Sequence, residues 1–345
     1  MINWSAILDF KMFSKKNLIR IGANTLLGII LIYFWLQFVD LDHLVHDITN
    51  INPLAVVIFP LCLVCSLILK ALRFKILLGE YKISASNIIF LSSLSQLLSF
   101  SIPLRVGEIT KGVYISTQYK VPFKKTIIWV LMDRFIDFWM VVFLALILLL
   151  IVPTNLPENI RPTLIVLVVL LTVGTGLVLG APEVAKKLAV FISRFLVVGK
   201  VKKIFIQLSE FIIDTASFLN KGFLKNLLVL TLTITALLLD ALAWFTLFRF
   251  LGGDHVNYIV TFLGTLMSAL TYLIPAAPGY VGSAEASGLA VFNLGLGLDK
   301  NLVTAATVIN HGLTLLTIMI FGLTSLYLLK FDLSLVWKKL RGQED

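Results

Sequence analysis

Charged side chains interrupt the long apolar stretches of this sequence, and they have the clearest capacity for chemistry. Arg105, Glu108 and Lys111 follow Pro103 at intervals of one helical turn. A helix that begins there would direct backbone N–H groups and the positive end of its dipole at an anion. Arg105 adds a two-pronged donor suited to phosphate. The pattern favours a phosphate headgroup as ligand, and an internal Arg105–Glu108 salt bridge is the alternative.

A second charged group comprises Asp133, Arg134 and Asp137, within an apolar segment. The two aspartates are four residues apart and share a helix face, and Arg134 and Asp137 are three apart. These charges stand roughly 10–17 Å into a helix that starts near residue 126. Charges at such a depth in a membrane are costly, and they are usually functional or paired. Either Arg134 faces a cavity and is held by Asp137, or the charges only neutralise one another.

A third group comprises Gly279, Gly282 and Glu285, which follow Pro278. The glycines permit backbone conformations closed to other residues and a close approach of helices. Glu285 is a lone carboxylate in an apolar setting, which favours its neutral form and makes it a candidate proton carrier. A structural hydrogen bond is the alternative reading. Weaker candidates in neighbouring apolar segments are Asp240, Arg249 and His311.

Membrane spans are the elements that must position these charges. The chain is 59% hydrophobic and 14% charged, and its mean hydropathy is +0.97. A soluble domain carries about 25% charged residues, and the apolar blocks here are about as long as a bilayer crossing, roughly 20 residues. The net charge of +10 comes from Lys and Arg between these blocks, where they set orientation. We therefore expect an all-α polytopic membrane protein with no soluble catalytic domain and no nucleic-acid partner.

Six segments are predicted to span the membrane, and two further apolar regions, about 86–115 and 257–297, are broken by Pro and Gly. The predicted spans are about 18–39, 53–78, 126–151, 162–181, 226–252 and 302–329. The first is expected to be a retained anchor rather than a cleaved signal. Cys62 and Cys65 lie inside the second span with no His or further Cys nearby. Two packed thiols are favoured over a redox or metal pair.

The distribution of Lys and Arg predicts the orientation. Residues 1–20 carry four Lys or Arg, whereas the loop 40–52 carries none and has three Asp. This asymmetry places the N-terminus inside. Basic residues flank the first broken region on both sides, and Lys300 is the only one near the outer ends of the second. Each broken region is therefore predicted to be a re-entrant hairpin, and both termini are expected in the cytoplasm, with the protein in the cell (inner) membrane.

Two hairpins that enter from opposite faces indicate an inverted repeat with a substrate site near the midplane. Residues 1–345 form one predicted domain, with half-repeats at about 53–181 and 226–329. Irregular backbone at membrane depth is tolerated where it is buried in protein or lines a wet cavity, and two kinked pairs of packed helices are the alternative. The connector 183–225 has apolar residues at helical spacing with Lys and Arg between them. It predicts amphipathic helices on the cytoplasmic membrane surface, or else an ordinary loop.

Four short motifs, in order and at suitable spacing, resemble those of the flippase domain of lysylphosphatidylglycerol synthases. The resemblance covers nearly the whole chain, but Lys111 stands where that family often has Arg, and Tyr280 replaces a usual Gly. The motifs are Leu72-Arg73-Phe74-Lys75-Ile76-Leu77-Leu78, Pro103-Leu104-Arg105-Val106-Gly107-Glu108, Asp133-Arg134-Phe135-Ile136-Asp137 and Pro278-Gly279-Tyr280-Val281-Gly282-Ser283-Ala284-Glu285. We expect a stand-alone member without the aminoacyl-transferase domain.

The resemblance implies that the protein moves a lipid between membrane leaflets, either a phospholipid or another phosphate-linked lipid such as a polyprenyl lipid. The implied substrate-binding residues are Arg73, Arg105, Lys111 and Arg134. The implied gating or proton-coupling residues are Glu108, Asp133, Asp137 and Glu285. The implied hairpin backbone residues are Pro103, Gly107, Pro278, Gly279 and Gly282. We expect no catalytic residue, metal or cofactor, and the sequence has no Gly-rich phosphate loop that would support ATP drive.

Two other functions fit the sequence. The triplet Asp40-Leu41-Asp42 in the first outer loop matches the acidic pair used by membrane-embedded glycosyl or group transferases that take a lipid-linked donor. Alternatively, the chain is a non-catalytic membrane subunit that organises a glycosyltransferase or a lipid-modifying enzyme. Lipids with anionic headgroups are the expected partners, and an oligomer is compatible with the sequence. The sequence leaves open which lipid is moved, in which direction and by what energy source.

Overall fold

The computed structural model describes residues 49–79, 81–101, 106–155, 157–195, 199–219, 222–271 and 278–330, and this part of the chain is helical without strands. Its helices are α1 Pro53–Leu78, α2 Ala85–Ser101, α3 Val106–Tyr119, α4 Phe123–Ile151, α5 Arg161–Gly180, α6 Pro182–Ser193, α7 Gly199–Leu219, α8 Phe223–Phe250, α9 Tyr258–Thr271, α10 Ser283–Gly288 and α11 Lys300–Leu329. Short turns of 3₁₀-helix cover Glu158–Ile160 and Pro278–Tyr280, and a π-helix covers Leu289–Gly295. The predicted all-α class is confirmed.

Four helices, α1, α4, α8 and α11, are long and apolar enough to cross a membrane. They match four of the predicted spans to within three residues at each end. The predicted span 162–181 corresponds to α5, which is not among these four, and the predicted span 18–39 lies outside the described residues. The protein is therefore a multi-pass membrane protein, while the count of six spans stays a prediction.

Local capping explains where two of these spans begin. Asn52 precedes α1 and its Oδ1 accepts a hydrogen bond from Leu54 N at 2.9 Å. Asp299 precedes α11 and its Oδ1 accepts from Leu302 N at 2.9 Å. Such side chains satisfy backbone donors that the first helical turn leaves unpaired. Polar caps at the ends of apolar helices therefore fix the limits of the membrane-crossing segments.

The long helices pack around two apolar cores. One core centres on the rings of Trp244, Phe248 and Phe292, whose centroids lie 4.8 to 5.8 Å apart. The other joins α1, α2, α3 and α4 around buried residues such as Phe74 and Leu94. Helix α8 packs along α1, and α11 packs along α2. The helices of the predicted second half are thus interleaved with those of the first, which holds the two broken regions against each other.

Each broken region consists of two helical arms that pack together across a break. Helices α2 and α3 flank residues 102–105, and α9 and the α10–π-helix segment flank residues 272–277. A Cβ at Gly107 would collide with the carbonyl oxygen of Ser95, so the close approach of α3 to α2 requires glycine there. Helix α2 ends at Ser101 and α9 ends at Thr271, close to the Pro and Gly residues that predicted an interruption. Whether each region returns to its starting face stays a prediction.

The connector contains the predicted helices, α6 and α7, which pack against each other and against α5. Large apolar side chains are exposed on them, including Leu188, Phe191, Ile192 and Leu208. Exposed apolar side chains interspersed with Lys suit a helix at a membrane surface. That location stays a prediction.

Candidate functional site

The guanidinium of Arg73 on α1 is the buried centre of the candidate site. Nε and Nη2 donate to Oδ1 of Asp133 at 2.9 and 2.7 Å. Nη1 donates to Oδ1 of Asp137 and, at 3.2 Å, to Oγ1 of Thr233. The Arg73 side chain is 0% exposed, and a buried charge is tolerated only when it is paired and hydrogen-bonded. The two carboxylates of α4 therefore allow Arg73 to be buried between α1, α4 and α8.

The same two carboxylates also bind Arg134. Its Nη2 lies 2.8 Å from Oδ2 of Asp133 and 3.1 Å from Oδ2 of Asp137. Each carboxylate thus uses one oxygen for Arg73 and the other for Arg134. The side chain of Asp133 is only 1% exposed, whereas that of Arg134 is 36% exposed. Arg134 is therefore the accessible end of the cluster, and Arg73 is its buried end.

Helix α3 of the first broken region adds Glu108 and Lys111. Oε1 of Glu108 lies 3.7 Å from Nη1 of Arg134, and Oε2 lies 3.7 Å from Nζ of Lys111. These separations are too long for hydrogen bonds. Within the described part of the chain, Nε of Arg134 and Oε2 of Glu108 have no hydrogen-bond partner. Hydrogen-bonding capacity is thus unused next to the break at residues 102–105.

The described cluster carries three cations and three carboxylates, so its formal charges cancel. Neutrality lowers the cost of placing six charges among apolar helices. The cations are Arg73, Lys111 and Arg134, and the carboxylates are Glu108, Asp133 and Asp137. An added anion must therefore compete with these carboxylates or bind to a further cation. Arg105, like Pro103, lies outside the described residues.

The second broken region builds a separate network around Glu285. Its Oε2 accepts a hydrogen bond from Gly282 N at 2.8 Å, and its Oε1 lies 2.6 Å from Nδ1 of His311. Nε2 of His311 lies 2.7 Å from the carbonyl oxygen of Gly279. A carbonyl only accepts, so Nε2 carries a hydrogen. Glu285 and Nδ1 then share one further proton, either as carboxylic acid with neutral imidazole or as carboxylate with imidazolium.

Three residues of this second break adopt a left-handed backbone. Gly279 has φ 72°, Tyr280 has φ 59° and Gly282 has φ 79°. Glycine adopts this region freely, whereas a bulky side chain disfavours it. Tyr280 therefore keeps the turn conformation although it replaces a glycine of the related motif. Pro278 begins the 3₁₀ turn that contains Gly279.

Phe100, at the end of α2, joins the two broken regions. Its ring centroid lies 6.0 Å from that of His311 and 5.8 Å from that of Tyr280. The structure thus brings the two breaks into contact, but it keeps Glu285 in a network of its own, apart from the Arg73 cluster. No pattern in the sequence distinguishes Phe100, because its partners lie far along the chain.

The three weaker candidates have different partners in the structure. His311 belongs to the Glu285 network, and Arg249 Nη2 lies 3.4 Å from the exposed Oδ1 of Asp254. Asp240 pairs with Lys70, with 2.6 Å between Oδ2 and Nζ. Sequence reasoning did not select Lys70 or Thr233. The spacing of Lys70, one turn before Arg73 on the same helix, was the available signal for the lysine.

Of the comparisons with known proteins, the comparison with family models gave a match. No match was found among curated proteins, and none among solved structures. The family model of the lysylphosphatidylglycerol synthase TM region matches residues 21–322, which include all four motifs. The chain therefore belongs to the lysylphosphatidylglycerol synthase TM region family, and its function concerns membrane lipids.

Proposed function

We propose that this protein moves a phosphate-linked lipid between the two leaflets of the cell membrane. The observation that carries the proposal is the Arg73 cluster, where a buried arginine binds two carboxylates and the partly exposed Arg134 has a buried Nε with no hydrogen-bond partner among the described residues. Membership of a lipid-related membrane family supports it. The substrate is a phospholipid or another phosphate-linked lipid, and a polyprenyl lipid remains within that class.

Arg134 is the proposed headgroup ligand. A guanidinium binds phosphate through two parallel hydrogen bonds. Nη2 of Arg134 binds Asp133 and Asp137 and Nη1 lies 3.7 Å from Glu108, whereas Nε has no hydrogen-bond partner among the described residues. Phosphate would bind along the edge formed by Nε and Nη2 once Nη2 leaves the two carboxylates. The N-terminus of α3 lies in the same region and begins at Val106, where backbone donors and the helix dipole favour an anion. Arg105 and Lys111 are the further cations proposed to contact the headgroup.

Arg73 has a positioning role in this proposal. All three of its nitrogens have partners within the protein. When a phosphate draws Arg134 away, Arg73 still donates to both Asp133 and Asp137, so that neither carboxylate is left without a hydrogen-bonded cation. We therefore interpret the two carboxylates as a reversible counter-charge for Arg134, which is a gating role.

Glu285 is the proposed gate of the second half. Its hydrogen bonds to Gly282 and His311 hold the turn 279–282 against α11. The proton shared with His311 determines the strength of that contact, because a charge-assisted pair is stronger than a neutral one. Release of the turn would also move the surface that contacts Phe100. The contact with Phe100 would thus transmit a structural change in one broken region to the other.

We propose a transporter rather than an enzyme because the two aspartates of the cluster, Asp133 and Asp137, are fully engaged by arginines. A general base needs an acceptor that is free to take a proton, and both oxygens of Asp133 and of Asp137 bind guanidinium groups. Asp40 and Asp42, which motivated the transferase alternative, lie outside the described residues. That alternative would require turnover of a polyprenyl-phosphate sugar by the purified protein.

Substitution of Arg134 tests the proposal. In proteoliposomes with a fluorescent phospholipid, dithionite quenching measures how fast lipid moves from the inner to the outer leaflet. We expect Arg134→Gln to lower the protein-dependent rate by about tenfold or more, because a charge-assisted pair of hydrogen bonds is lost.

Arg249→Gln is the matched control, since Arg249 also pairs with an aspartate but is 42% exposed and remote from the cluster. It should leave the rate unchanged. Equal rates for wild-type protein and protein-free vesicles would disprove lipid movement. Equal rates for wild type and Arg134→Gln would disprove the role of Arg134.

A further inference from the structure

A second ion pair crosses the interface between α1 and α8. Nζ of Lys70 lies 2.6 Å from Oδ2 of Asp240, and the two side chains are 24% and 21% exposed. Arg73, one turn further along α1, contacts Thr233 of α8. Since later residues of α1 contact earlier residues of α8, the helices run antiparallel. The pair therefore joins the first helix of one predicted half to the first helix of the other.

Both partners occupy the same position in their helices. Lys70 is 17 residues past Pro53, and Asp240 is 17 residues past Phe223. Helical side chains lean toward the N-terminus of their own helix, so in an antiparallel pair these two side chains lean toward each other. They meet in the second half of each helix, eight residues before the end of α1 and ten before the end of α8, and charges inside membrane spans mark substrate or ion pathways.

The pair faces a cavity of about 160 Å³ between α1, α2, α8 and α11. A water molecule occupies about 30 Å³ in the liquid, so the cavity has room for about five waters. Its polar lining, apart from the ion pair, is Ser66, Ser93, Gln96, Thr314 and Thr317. The Ser66 side chain is 1% exposed, and its hydroxyl has no hydrogen-bond partner among the residues that the structure describes. One buried oxygen in the wall is thus available to a ligand.

The chemistry of the pair excludes an anion and favours a cation. A phosphate at Lys70 would have to displace Asp240 and leave that carboxylate unpaired in the membrane, which is costly. When a cation binds to Asp240, the carboxylate exchanges Lys70 for another positive partner and stays paired. The hydroxyl and amide oxygens of the cavity lining also suit a hard cation. The displaced ammonium of Lys70 stays close to Asp137, with which it already interacts electrostatically.

We propose that Asp240 binds a monovalent cation, either a proton or a sodium ion, in competition with Lys70. Binding would open the ion pair between α1 and α8 and so change the balance between conformations of the two halves. The coupling of this step to lipid movement rests on the proposed function, whereas the cation site itself does not.

Few other titratable groups surround Asp240. Helix α1 presents Lys70 and Cys62, and Asp240 acts electrostatically on Cys62. Helix α9 presents Tyr258, whose hydroxyl donates to the carbonyl oxygen of Leu238 at 2.7 Å. Helices α2 and α11 line the cavity with hydroxyl and amide groups and no charge. These are the charged and titratable groups that face Asp240 among the described residues.

Charge displacement in proteoliposomes adsorbed on a solid-supported membrane tests the site without a lipid assay. One arm applies a jump in sodium concentration at constant pH, with choline as the replaced ion, and the other applies a pH jump without sodium. The wild type should respond in one arm, which identifies the cation. Asp240→Asn should abolish the response, and Asp254→Asn, on an exposed carboxylate, should preserve it.

Lys70→Met should strengthen cation binding, whereas Asp240→Asn should abolish it. Without the competing ammonium, the half-saturating cation concentration should fall by about tenfold or more. Identical responses in wild type and Asp240→Asn, or weaker binding in Lys70→Met, would overturn the proposal; if Asp240→Asn does not fold, Lys70→Met decides. A cation response without any lipid exchange would contradict the proposed function alone, and lipid exchange without a cation response would contradict this site alone.

Discussion

At the scale of single residues, the candidate site is organised by the sharing of two carboxylates between two arginines. Asp133 and Asp137 each give one oxygen to Arg73 and one to Arg134. The buried arginine is fully enclosed, while the other remains 36% exposed. In the proposed function the same residue type serves for stability at one position and for ligand binding at the other, and burial is the observed difference between the two.

Replacement of the buried Arg73 should lower the stability of the folded protein. Arg73→Met leaves Asp133 and Asp137 with only one guanidinium, and breaking a buried pair costs about 3–5 kcal/mol. We expect a lower thermal-unfolding midpoint in detergent, followed by intrinsic tryptophan fluorescence. Arg73→Lys should recover only part of the loss, because an ammonium cannot make the same forked contacts.

Arg249→Met, at an exposed pair, should cost about 0–1 kcal/mol and serves as the control. An unchanged unfolding midpoint in Arg73→Met would show that the Arg73 contacts do not stabilise the protein.

At the scale of helices, close approach across each break depends on particular glycines. Gly107 in α3 faces the backbone of α2 at Ser95 and Ser99, and a Cβ there has no room. By contrast, no atom lies within 4 Å of the position a Cβ would take at Gly174 in α5. Both positions are helical glycines, but Gly107 lies in the first turn of α3 against another helix, whereas Gly174 lies inside α5 with open space beside it.

Alanine substitution should therefore act in opposite directions at these two positions. Gly107→Ala forces α3 away from α2 and should destabilise the protein by about 1–3 kcal/mol. Gly174→Ala should stabilise it by about 0.5–1 kcal/mol, because glycine is a poor helix former. Chemical denaturation in detergent micelles measures both changes, and a destabilisation by Gly174→Ala as large as that by Gly107→Ala would refute the packing argument.

The helices and the breaks could be predicted from sequence, but the pairings of charges could not. The length of the apolar segments predicted α1, α4, α8 and α11. The i, i+4 spacing predicted that Asp133 and Asp137 share one helix face. The nearest cation in sequence, Arg134, was the only visible partner for them. Arg73 lies 60 residues from Asp133, and their contact depends on how α1 packs against α4, which no local pattern encodes.

At the scale of the whole molecule, the arrangement of charge suggests two halves of opposite orientation. The Arg73 cluster lies beside the first break, the Glu285 network lies at the second, and Phe100 connects the two. The Lys70–Asp240 pair links α1 and α8 between them. An alternating mechanism requires that both breaks reach the interior from opposite faces, so the path of each broken region decides whether this mechanism is available.

Labelling of single cysteines tests whether each broken region returns to the face from which it starts. In a background in which Cys62 and Cys65 are replaced by Ala, we introduce Cys at Lys82 and Lys124, which lie before and after the first broken region. With a membrane-impermeant maleimide, both positions should be protected in intact cells and react only after permeabilisation. Positive residues on both sides of the region favour the cytoplasmic face for both ends.

The second broken region should give the reverse result, since its ends are predicted to lie outside. Cys at Asp254 and Asn301, both exposed, should react in intact cells. Labelling of only one member of either pair would mean that the region crosses the membrane completely. In that case the hairpins would not oppose each other, the termini would not share the cytoplasmic side, and the proposed midplane site would lose its symmetry argument while the contacts of Arg73 and Glu285 would remain.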